Sequence, residues 1–256
     1  MSWEQNVVIK SPAELALMRE AGRVNALALA AVRELIRPGV TTADLDAAAH
    51  EVIRSHGGKA VFKGYPGPYP YPATICASVN EELVHGIPGK RKLKPGDIIS
   101  VDCGTLLEGF VGDSAFTAGV GEITTVAQKL LEVTEKSLYI GIEKMRAGNR
   151  TGDISAAIQQ FVESQGFYVT REYTGHGVGR KMHEGPQVPN YGTAGRGSLL
   201  RGGMTIALEP MVLVGTASTR VESDQWTVVS ADGSLTAHFE HSVAVTDGDP
   251  WILTLT

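Results

Sequence analysis

The stretch that decides the fold of this chain is GDIISVDCGTLLEGFVGD, residues 96–113. Its pattern predicts a strand over residues 97–102, a turn around residues 104–109 and a returning strand beyond it. Asp102 ends the apolar run IISV and Asp113 lies on the returning strand, so a hairpin would bring the two carboxylates together. Two carboxylates in an apolar setting repel, and either one protonates or both share a cation. The alternative is a pair of solvated aspartates at strand ends.

Length and composition indicate a globular chain. Its 256 residues fit one large domain or two small ones, and 43% hydrophobic residues are sufficient for a core. A net charge of −5 and a pI near 5.8 show no basic footprint for nucleic acid. The N-terminal residues contain no apolar signal region, and no run of about 18 apolar residues predicts a membrane span. Cys76 and Cys103 lie in apolar, strand-like contexts, which favours a reduced, cytoplasmic protein.

Four helices are predicted from caps and helix breakers. The first follows the capping box and N1 proline of residues 11–14 and extends to about residue 36, where Pro38-Gly39 ends it. The other three are predicted over residues 42–56, 124–145 and 151–165.

Strands are predicted between the helices and towards the C-terminus, with Asp232-Gly233 as the hairpin turn between the last two. They cover residues 73–79, 167–172, 204–209, 210–214, 226–230 and 237–245. Residues 65–72 form a loop, YPGPYPYP, with three tyrosines among four prolines. A stiff surface loop is the simpler interpretation, and an aromatic wall beside a pocket is the functional one.

The two halves of the chain resemble each other. Residues 38–57 align without a gap with residues 147–166, and seven positions carry the same residue. A Leu-x-x-Gly pattern precedes a strand-end carboxylate twice, at Asp102 and at Glu209. We therefore predict a duplicated α+β fold in which an antiparallel sheet is covered by helices and both carboxylates lie near a pseudo-twofold axis.

This interpretation makes the chain a single catalytic domain. The domain would cover residues 1–256, with pseudo-repeat halves of about residues 11–120 and 121–250. Chance similarity is the alternative, but matches in the same order across three segments argue against it.

Five residues are candidate metal ligands, because each adjoins an apolar strand or a glycine-rich turn. They are Asp102, Asp113, His176, Glu209 and Glu240. Four ionised carboxylates around one point need more than one divalent cation to offset their charge. Carboxylates with one imidazole suit Mn, Co, Fe or Zn, and two such ions can hold a bridging hydroxide that attacks a carbonyl. The residues thus indicate metal-assisted hydrolysis.

Histidines in glycine-rich loops form a weaker signal. His176 alone is as well explained as a turn residue, and His85 and His183 alone as structural or solvated residues. Near a metal centre, however, imidazoles that are not ligands would move protons or hydrogen-bond a substrate carbonyl.

Five segments, taken in order, closely resemble a type I methionine aminopeptidase of the short bacterial form. They are VHGIP, VDCGTLLEGFVGDSA, GHGVGRKMHEGPQVPNY, TIALEPM and FEHSVAVT, and the resemblance covers nearly the whole chain. The resemblance implies a pita-bread (creatinase/aminopeptidase) fold with two divalent metal ions. It also implies removal of the initiator methionine from nascent chains with a small second residue. The expected setting is a cytoplasmic monomer that meets these chains at the ribosome, without direct nucleic-acid or membrane contacts.

The same resemblance implies a role for each candidate residue. The five ligands match those of the family, with Asp113 and Glu240 bridging and Glu209 also acting as the proton shuttle. His85 and His183 match two substrate histidines, one near the amide nitrogen and one near the carbonyl oxygen. The residues implied to line the methionine pocket are Tyr65, Cys76 and Trp226. Ordinary core packing is the alternative for Cys76 and Trp226.

Some features depart from the family or refine the assignment. The loop of residues 65–72 is longer than usual, so either Tyr69 or Tyr71 takes the place of the second pocket tyrosine. Met182 stands where many members carry phenylalanine. Ser2 is small, so the chain is expected to be a substrate of its own activity.

Two other functions compete with this interpretation. An Xaa-Pro peptidase of the same fold would share the ligands but usually carries an additional N-terminal domain. A catalytically inactive relative that binds the ribosome or RNA would be expected to lose ligands and to show a basic surface, and this sequence does neither.

Overall fold

The helices begin at hydrogen-bonded caps. In the computed structural model, which describes residues 6–256 and so leaves Ser2 outside, they are α1 Pro12–Leu35, α2 Thr42–Ser55, α3 Thr125–Glu143 and α4 Thr151–Ser164. Ser11 Oγ accepts from the Glu14 amide while the Glu14 carboxylate accepts from the Ser11 amide, which is the predicted capping box. Thr41 and Asp44 cap α2 in the same way. The four predicted helices are confirmed to within two residues at each end.

The strands are short except for the central hairpin, which consists of β4 Ile98–Leu107 and β5 Phe110–Gly119. Before it lie β1 Lys59–Ala60, β2 Ile75–Val79 and β3 Glu82–Val84. After α4 come β6 Tyr168–Val169, β7 Thr174–Gly177, β8 Glu184–Pro189, β9 Thr205–Leu208 and β10 Met211–Leu213. The last are β11 Thr219–Val221, β12 Val228–Ser230, β13 Thr236–His238, β14 Glu240–Ala244 and β15 Trp251–Ile252.

The main sheet joins strands from both halves of the chain. Its order is β1-β4-β5-β14-β9-β7-β8, with β2 also on β4 and β15 also on β14. All these pairs are antiparallel. Two three-stranded sheets, β13-β10-β6 and β11-β12-β3, complete the architecture. The pairing of β5 with β14 is the seam between the halves, so residues near it come from distant parts of the sequence.

The helices cover one face of the main sheet. Alternate residues of the central strands, such as Val101, Cys103 and Leu208, share a buried cluster with apolar residues of all four helices. Because side chains of a strand alternate between faces, the residues between them point to the opposite face. This opposite face carries the carboxylates described below.

Helix α1 lies directly on β5 because glycines replace side chains at the contact. A Cβ added to Gly112 would lie 2.5 Å from the Cα of Gly22. Beside this contact, buried Asn25 donates to Ser114 Oγ and accepts from Thr105 Oγ1, both at 2.8 Å. These contacts fix the strand that carries Asp113.

The two halves repeat their hydrogen bonds as well as their sequence. The amide of Gly39 donates to Leu93 O at 2.8 Å, and the amide of Gly148 donates to Leu200 O at 3.1 Å. Isolated bridges recur at the matching places, Thr41 with Lys92 and Arg150 with Leu199. The repeated pattern is that of a duplicated α+β fold, whereas the exact boundaries of the halves stay a prediction.

The turn predicted around residues 104–109 is confined to Glu108-Gly109, because β4 continues to Leu107. Three further strand predictions were wrong in detail. The strand predicted over residues 167–172 is limited to β6, and the glycine-rich segment after it forms strand β7. The turn at Asp232-Gly233 exists, but β12 pairs with β3 and β11 while β13 pairs with β10. The strand predicted over residues 237–245 is divided at Phe239 between two sheets. Turn and periodicity signals are local, so they do not encode which distant strand becomes the partner.

Among the described residues, no helix combines the length and apolar character needed to span a membrane.

Candidate active site

The central hairpin places Asp102 and Asp113 on one face of the sheet. In the register of β4 and β5, Asp102 pairs with Ala115 and Gly104 pairs with Asp113. Directly paired residues share a face, as do residues two apart on one strand, so the two aspartates are diagonal neighbours. Gly104 has no side chain to separate them.

The second half of the chain adds three candidate ligands to the same face. Glu240 pairs with Ala115 across the seam between β14 and β5. His176 pairs with Ala207 on β9, and Glu209 follows two residues later, just beyond the end of that strand. Because paired residues, and residues two apart on one strand, share a face of the sheet, all five predicted ligands lie on the face opposite the helices.

Two strand interruptions aim the glutamates into the site. Strand β9 ends before Glu209-Pro210 and β13 ends before Phe239-Glu240, so each glutamate lies where the chain passes between sheets. The amide of Phe239 donates to Pro210 O at 3.3 Å, which holds the two interruptions against each other. Proline lacks an amide hydrogen, and a regular ladder does not continue through it.

Candidate ligand atoms of four of these residues lie a few ångströms apart. One ligand atom each of Asp113, His176 and Glu240 lies within 4.8 Å of the other two. His176 Nε2 is 3.8 Å from Asp113 Oδ2 and 3.5 Å from Glu209 Oε1. His176 Nδ1 is 2.9 Å from Gly177 O, so it carries the hydrogen and leaves the Nε2 lone pair facing the carboxylates.

The buried carboxylates lack hydrogen-bond donors and repel one another, so they are suited to binding a divalent cation. Asp102 Oδ1, Asp113 Oδ1 and Glu240 Oε1 are buried oxygens without a hydrogen-bond donor. Burial raises the pKa of Asp113 to about 7, and burial together with the charge of Asp113 raises the pKa of Asp102 and of Glu240 well above the usual range. Oxygen atoms left without partners in this way are suited to a hard or borderline metal ion, so the cluster fits a divalent cation.

The two other predicted histidines border the same site. His183 Nδ1 is 2.6 Å from the Tyr65 hydroxyl, and its ring centroid is 4.3 Å from that of His176. His85 has a left-handed backbone conformation, with φ of 62°. Its ring is perpendicular to that of Trp226, with the ring centroids 6.2 Å apart. Burial lowers the pKa of His183 and lowers that of His85 to about 4. Both imidazoles are therefore neutral at pH 7 and can act as hydrogen-bonding groups.

All ten predicted site residues line one cavity of about 170 Å³. The candidate ligands and histidines that line it are Asp102, Asp113, His176, Glu209, Glu240, His85 and His183. The remaining wall consists of Phe62, Tyr65, Tyr71, Cys76, Met182 and Trp226. The cavity thus has a charged end and an end dominated by aromatic and sulfur-containing side chains.

The structure settles which tyrosine of the 65–72 loop reaches the cavity. Tyr71 is buried in the cavity wall, and its hydroxyl lies within hydrogen-bond distance of Ile75 O and Gly86 O. Tyr69 lies outside the cavity, where its hydroxyl donates to Asp224 O and its own carbonyl accepts from Trp226 Nε1. The loop therefore serves as an aromatic wall while its Tyr69 remains on the surface.

Two residues near the site were missed from the sequence. Phe62 precedes the tyrosine loop and carried no distinguishing signal. His238 is buried, and its Nε2 is 3.7 Å from Glu209 Oε2 and 3.9 Å from Glu240 Oε2. Its spacing of two residues from Glu240 in a strand-like segment was a signal that could have identified it.

Comparison with known proteins agrees with this geometry. The model of metallopeptidase family M24 matches residues 16–247. The chain belongs to metallopeptidase family M24. A relative from Clostridium acetobutylicum named methionine aminopeptidase is 51% identical, over 97% of this chain and 99% of its own length. Methionine aminopeptidase 1 of Bacillus subtilis is 50% identical over 97% of this chain and 99% of its own length.

Solved structures of M24-type proteins share the fold. A methionine aminopeptidase from Thermotoga maritima superimposes with a TM-score of 0.95 at 47% identity, covering 98% of this chain and all of its own. An Xaa-Pro dipeptidase from Bacillus anthracis gives a TM-score of 0.78 at 20% identity, and this chain covers 62% of it. The predicted pita-bread fold is thereby confirmed. The second comparison shows that proteins with different substrates use it.

Proposed function

We propose that this chain is a methionine aminopeptidase that removes the initiator methionine from nascent polypeptides whose second residue is small. The observation that carries the proposal is the cavity itself, in which four carboxylates and an imidazole meet below an apolar, aromatic end. Membership of the M24 family and about 50% identity to proteins of that name over nearly the full chain support the metal-dependent peptidase activity.

We infer that the five candidate ligands would hold two divalent ions, and that Asp113 and Glu240 would contribute to the binding of both. The charge argument supports this number, since one divalent cation would leave a cluster of four carboxylates strongly negative. Mn, Co, Fe and Zn all suit carboxylates with imidazole. When bound, the ions would polarise the scissile carbonyl and supply a water-derived nucleophile at neutral pH.

Glu209 is the carboxylate placed to handle protons on the substrate side. Its side chain is 13% exposed, whereas those of Asp113 and Glu240 are 2% exposed. A carboxylate that reaches the open part of the cavity can accept a proton from the attacking water and donate it to the leaving amine. We assign this proton transfer to Glu209.

His85 and His183 would hold the peptide bond. Both are neutral, so each can donate one hydrogen bond, one to the carbonyl oxygen and the other near the amide nitrogen. Tyr65 fixes the ring of His183 through its hydroxyl. Donors held in place before the reaction stabilise developing negative charge better than water does.

The apolar end of the cavity suits a single unbranched side chain. The whole cavity, carboxylates included, has a volume of about 170 Å³, which is smaller than the roughly 300–1,000 Å³ of ordinary ligand pockets. Tyr65, Tyr71, Cys76, Met182 and Trp226 line it with the polarisable surfaces that thioethers contact favourably. We therefore assign this end to the substrate methionine.

We also propose that the chain acts as a single-domain monomer in the cytoplasm, on nascent chains emerging from the ribosome. Analytical ultracentrifugation of the purified protein tests the monomer, and cosedimentation with translating ribosomes tests the encounter. A dimer in the first experiment, or absence from the ribosomal pellet in the second, would contradict that part of the proposal.

The decisive experiment measures cleavage of Met-Ala-Ser by chelator-stripped protein during titration with Mn(II), Co(II), Fe(II) or Zn(II). We expect no activity without metal. As metal is added, activity should rise in step with the filling of two metal sites, which calorimetry measures. The matched control is Glu209→Gln, which should retain the fold and lose most of kcat. Cleavage of Ala-Pro-Ala in preference to Met-Ala-Ser would contradict the substrate assignment and indicate an Xaa-Pro peptidase. Failure to bind any metal would contradict the whole proposal.

A further inference from the structure

A second imidazole faces the carboxylates and has no role in the mechanism above. Glu209 presents Oε1 to His176 Nε2 at 3.5 Å and Oε2 to His238 Nε2 at 3.7 Å. His238 Nε2 is also 3.9 Å from Glu240 Oε2. The Nε2 atoms of His176 and His238 thus lie at similar distances from the carboxylate oxygens.

His238 Nε2 is unpartnered although it is deeply buried. The side chain is 2% exposed, and among the described residues no group forms a hydrogen bond with this nitrogen. Its distances to both glutamates are too long for hydrogen bonds. A buried polar atom without a partner is uncommon and calls for a ligand or an ordered water.

The backbone holds His238 firmly in this position. Its amide donates to Thr117 Oγ1 at 2.9 Å, and the same hydroxyl donates back to His238 O at 2.8 Å. On β13 it pairs with Met211 of β10. It also lines a cavity of about 130 Å³ together with His85, Glu209 and Tyr173, so there is space beside the ring.

We propose that His238 is a sixth metal-binding residue, which supplies a second imidazole nitrogen to the ion nearest Glu209. This inference rests on the proposed metal-dependent function. Two donors bound to one ion at about 2.0–2.2 Å lie roughly 3–4 Å apart, depending on the angle at the metal. The distances from His238 Nε2 to the oxygens of Glu209 and Glu240 fall in this range, as do those from His176 Nε2.

A second imidazole would change which metal the site prefers. Carboxylate-only surroundings suit Mg and Mn, whereas imidazole nitrogen favours Fe, Co and Zn. His238 would thus raise the affinity for Co(II) more than that for Mn(II).

The test compares metal binding by chelator-stripped wild type and His238→Gln, using calorimetry with Co(II) and Mn(II) and the visible absorption of bound Co(II). We expect binding at one of the two sites to weaken by at least about 10-fold, more for Co(II) than for Mn(II), with a changed Co(II) spectrum. His241→Gln is the matched control, because His241 is a half-buried histidine whose Nδ1 lies 2.8 Å from Thr254 Oγ1, away from the carboxylates. Thermal unfolding confirms that both variants are folded.

Pulsed EPR of Mn(II)-loaded wild type supplies a measurement that needs no substitution. Coupling to two imidazole nitrogens supports the proposal, and coupling to one overturns it. A folded His238→Gln protein with unchanged affinities and an unchanged Co(II) spectrum also overturns it. Wild type that cleaves Met-Ala-Ser together with either negative result would refute only the role of His238. Metal binding by both imidazoles without Met-Ala-Ser cleavage would instead refute the proposed function.

Discussion

Gly67 lies against the indole of Trp226, and replacing it with alanine tests whether the 65–72 loop holds the pocket wall. A Cβ added at Gly67 would lie 2.4 Å from both Trp226 Cη2 and Trp226 Cζ2, whereas ordinary contacts are 3.4–4 Å. The indole or the loop must therefore move by about 1 Å, because atoms do not approach this closely in packed proteins.

The movement would disrupt two contacts whose sizes can be estimated. Trp226 Nε1 donates to Tyr69 O at 3.2 Å, a bond worth about 0.5–1.5 kcal/mol. The Tyr71 ring meets the Trp226 ring edge-on with centroids 5.2 Å apart, which contributes about 0.5–1.5 kcal/mol. Loss of both amounts to about 1–3 kcal/mol. Because methionine binding requires the wall in its original position, the same free energy would be lost from substrate binding, which is roughly a 5- to 150-fold fall in kcat/KM.

The assay is steady-state cleavage of Met-Ala-Ser by metal-loaded Gly67→Ala protein. We expect most of the change in KM, because the pocket wall binds the methionine in both ground and transition states. Gly89→Ala is the matched control, since its added Cβ meets no atom within 4 Å and its φ is not positive. A folded Gly67→Ala protein with kcat/KM equal to that of Gly89→Ala would refute the reasoning, because the wall would then tolerate displacement.

Three further predictions concern groups around the site. Lys10→Met should lower the free energy of unfolding by about 3–5 kcal/mol in urea titration, because the buried carboxylate of Glu184 loses its ion pair. Adding Glu184→Gln to that variant should recover part of the loss, and no recovery would contradict the ion-pair explanation. His85→Ala should lower kcat by about 10²–10⁴-fold in the Met-Ala-Ser assay, and a change confined to KM would exclude a role in the transition state. Tyr65→Phe should lower kcat about 2- to 12-fold by releasing the His183 ring, and unchanged kcat would show that the ring needs no such support.

The carboxylates of the site could be predicted because they violate local expectations. A carboxylate at the end of an apolar strand, as at Asp102 or Glu209, needs a partner, and the sequence repeat indicated that two such ends meet. The four helices could also be predicted from the sequence, since caps, glycines and prolines are local signals.

The strand partners and the shape of the pocket could not be predicted from the sequence. Whether β12 pairs with β13 or with β3 depends on contacts between segments far apart in the chain. The choice between Tyr69 and Tyr71 depended on how the loop packs on Trp226, and His238 gained its significance only when β13 brought it against Glu209.

The sequence by itself determined the helices, the duplicated fold class and the chemical nature of the site, because burial and charge constrain individual residues. Only the tertiary structure decided which strands pair, which aromatic rings line the pocket and which second imidazole faces the carboxylates. Those outcomes depend on long-range register and packing, and a shift of one residue in β14 would turn Glu240 to the helical face.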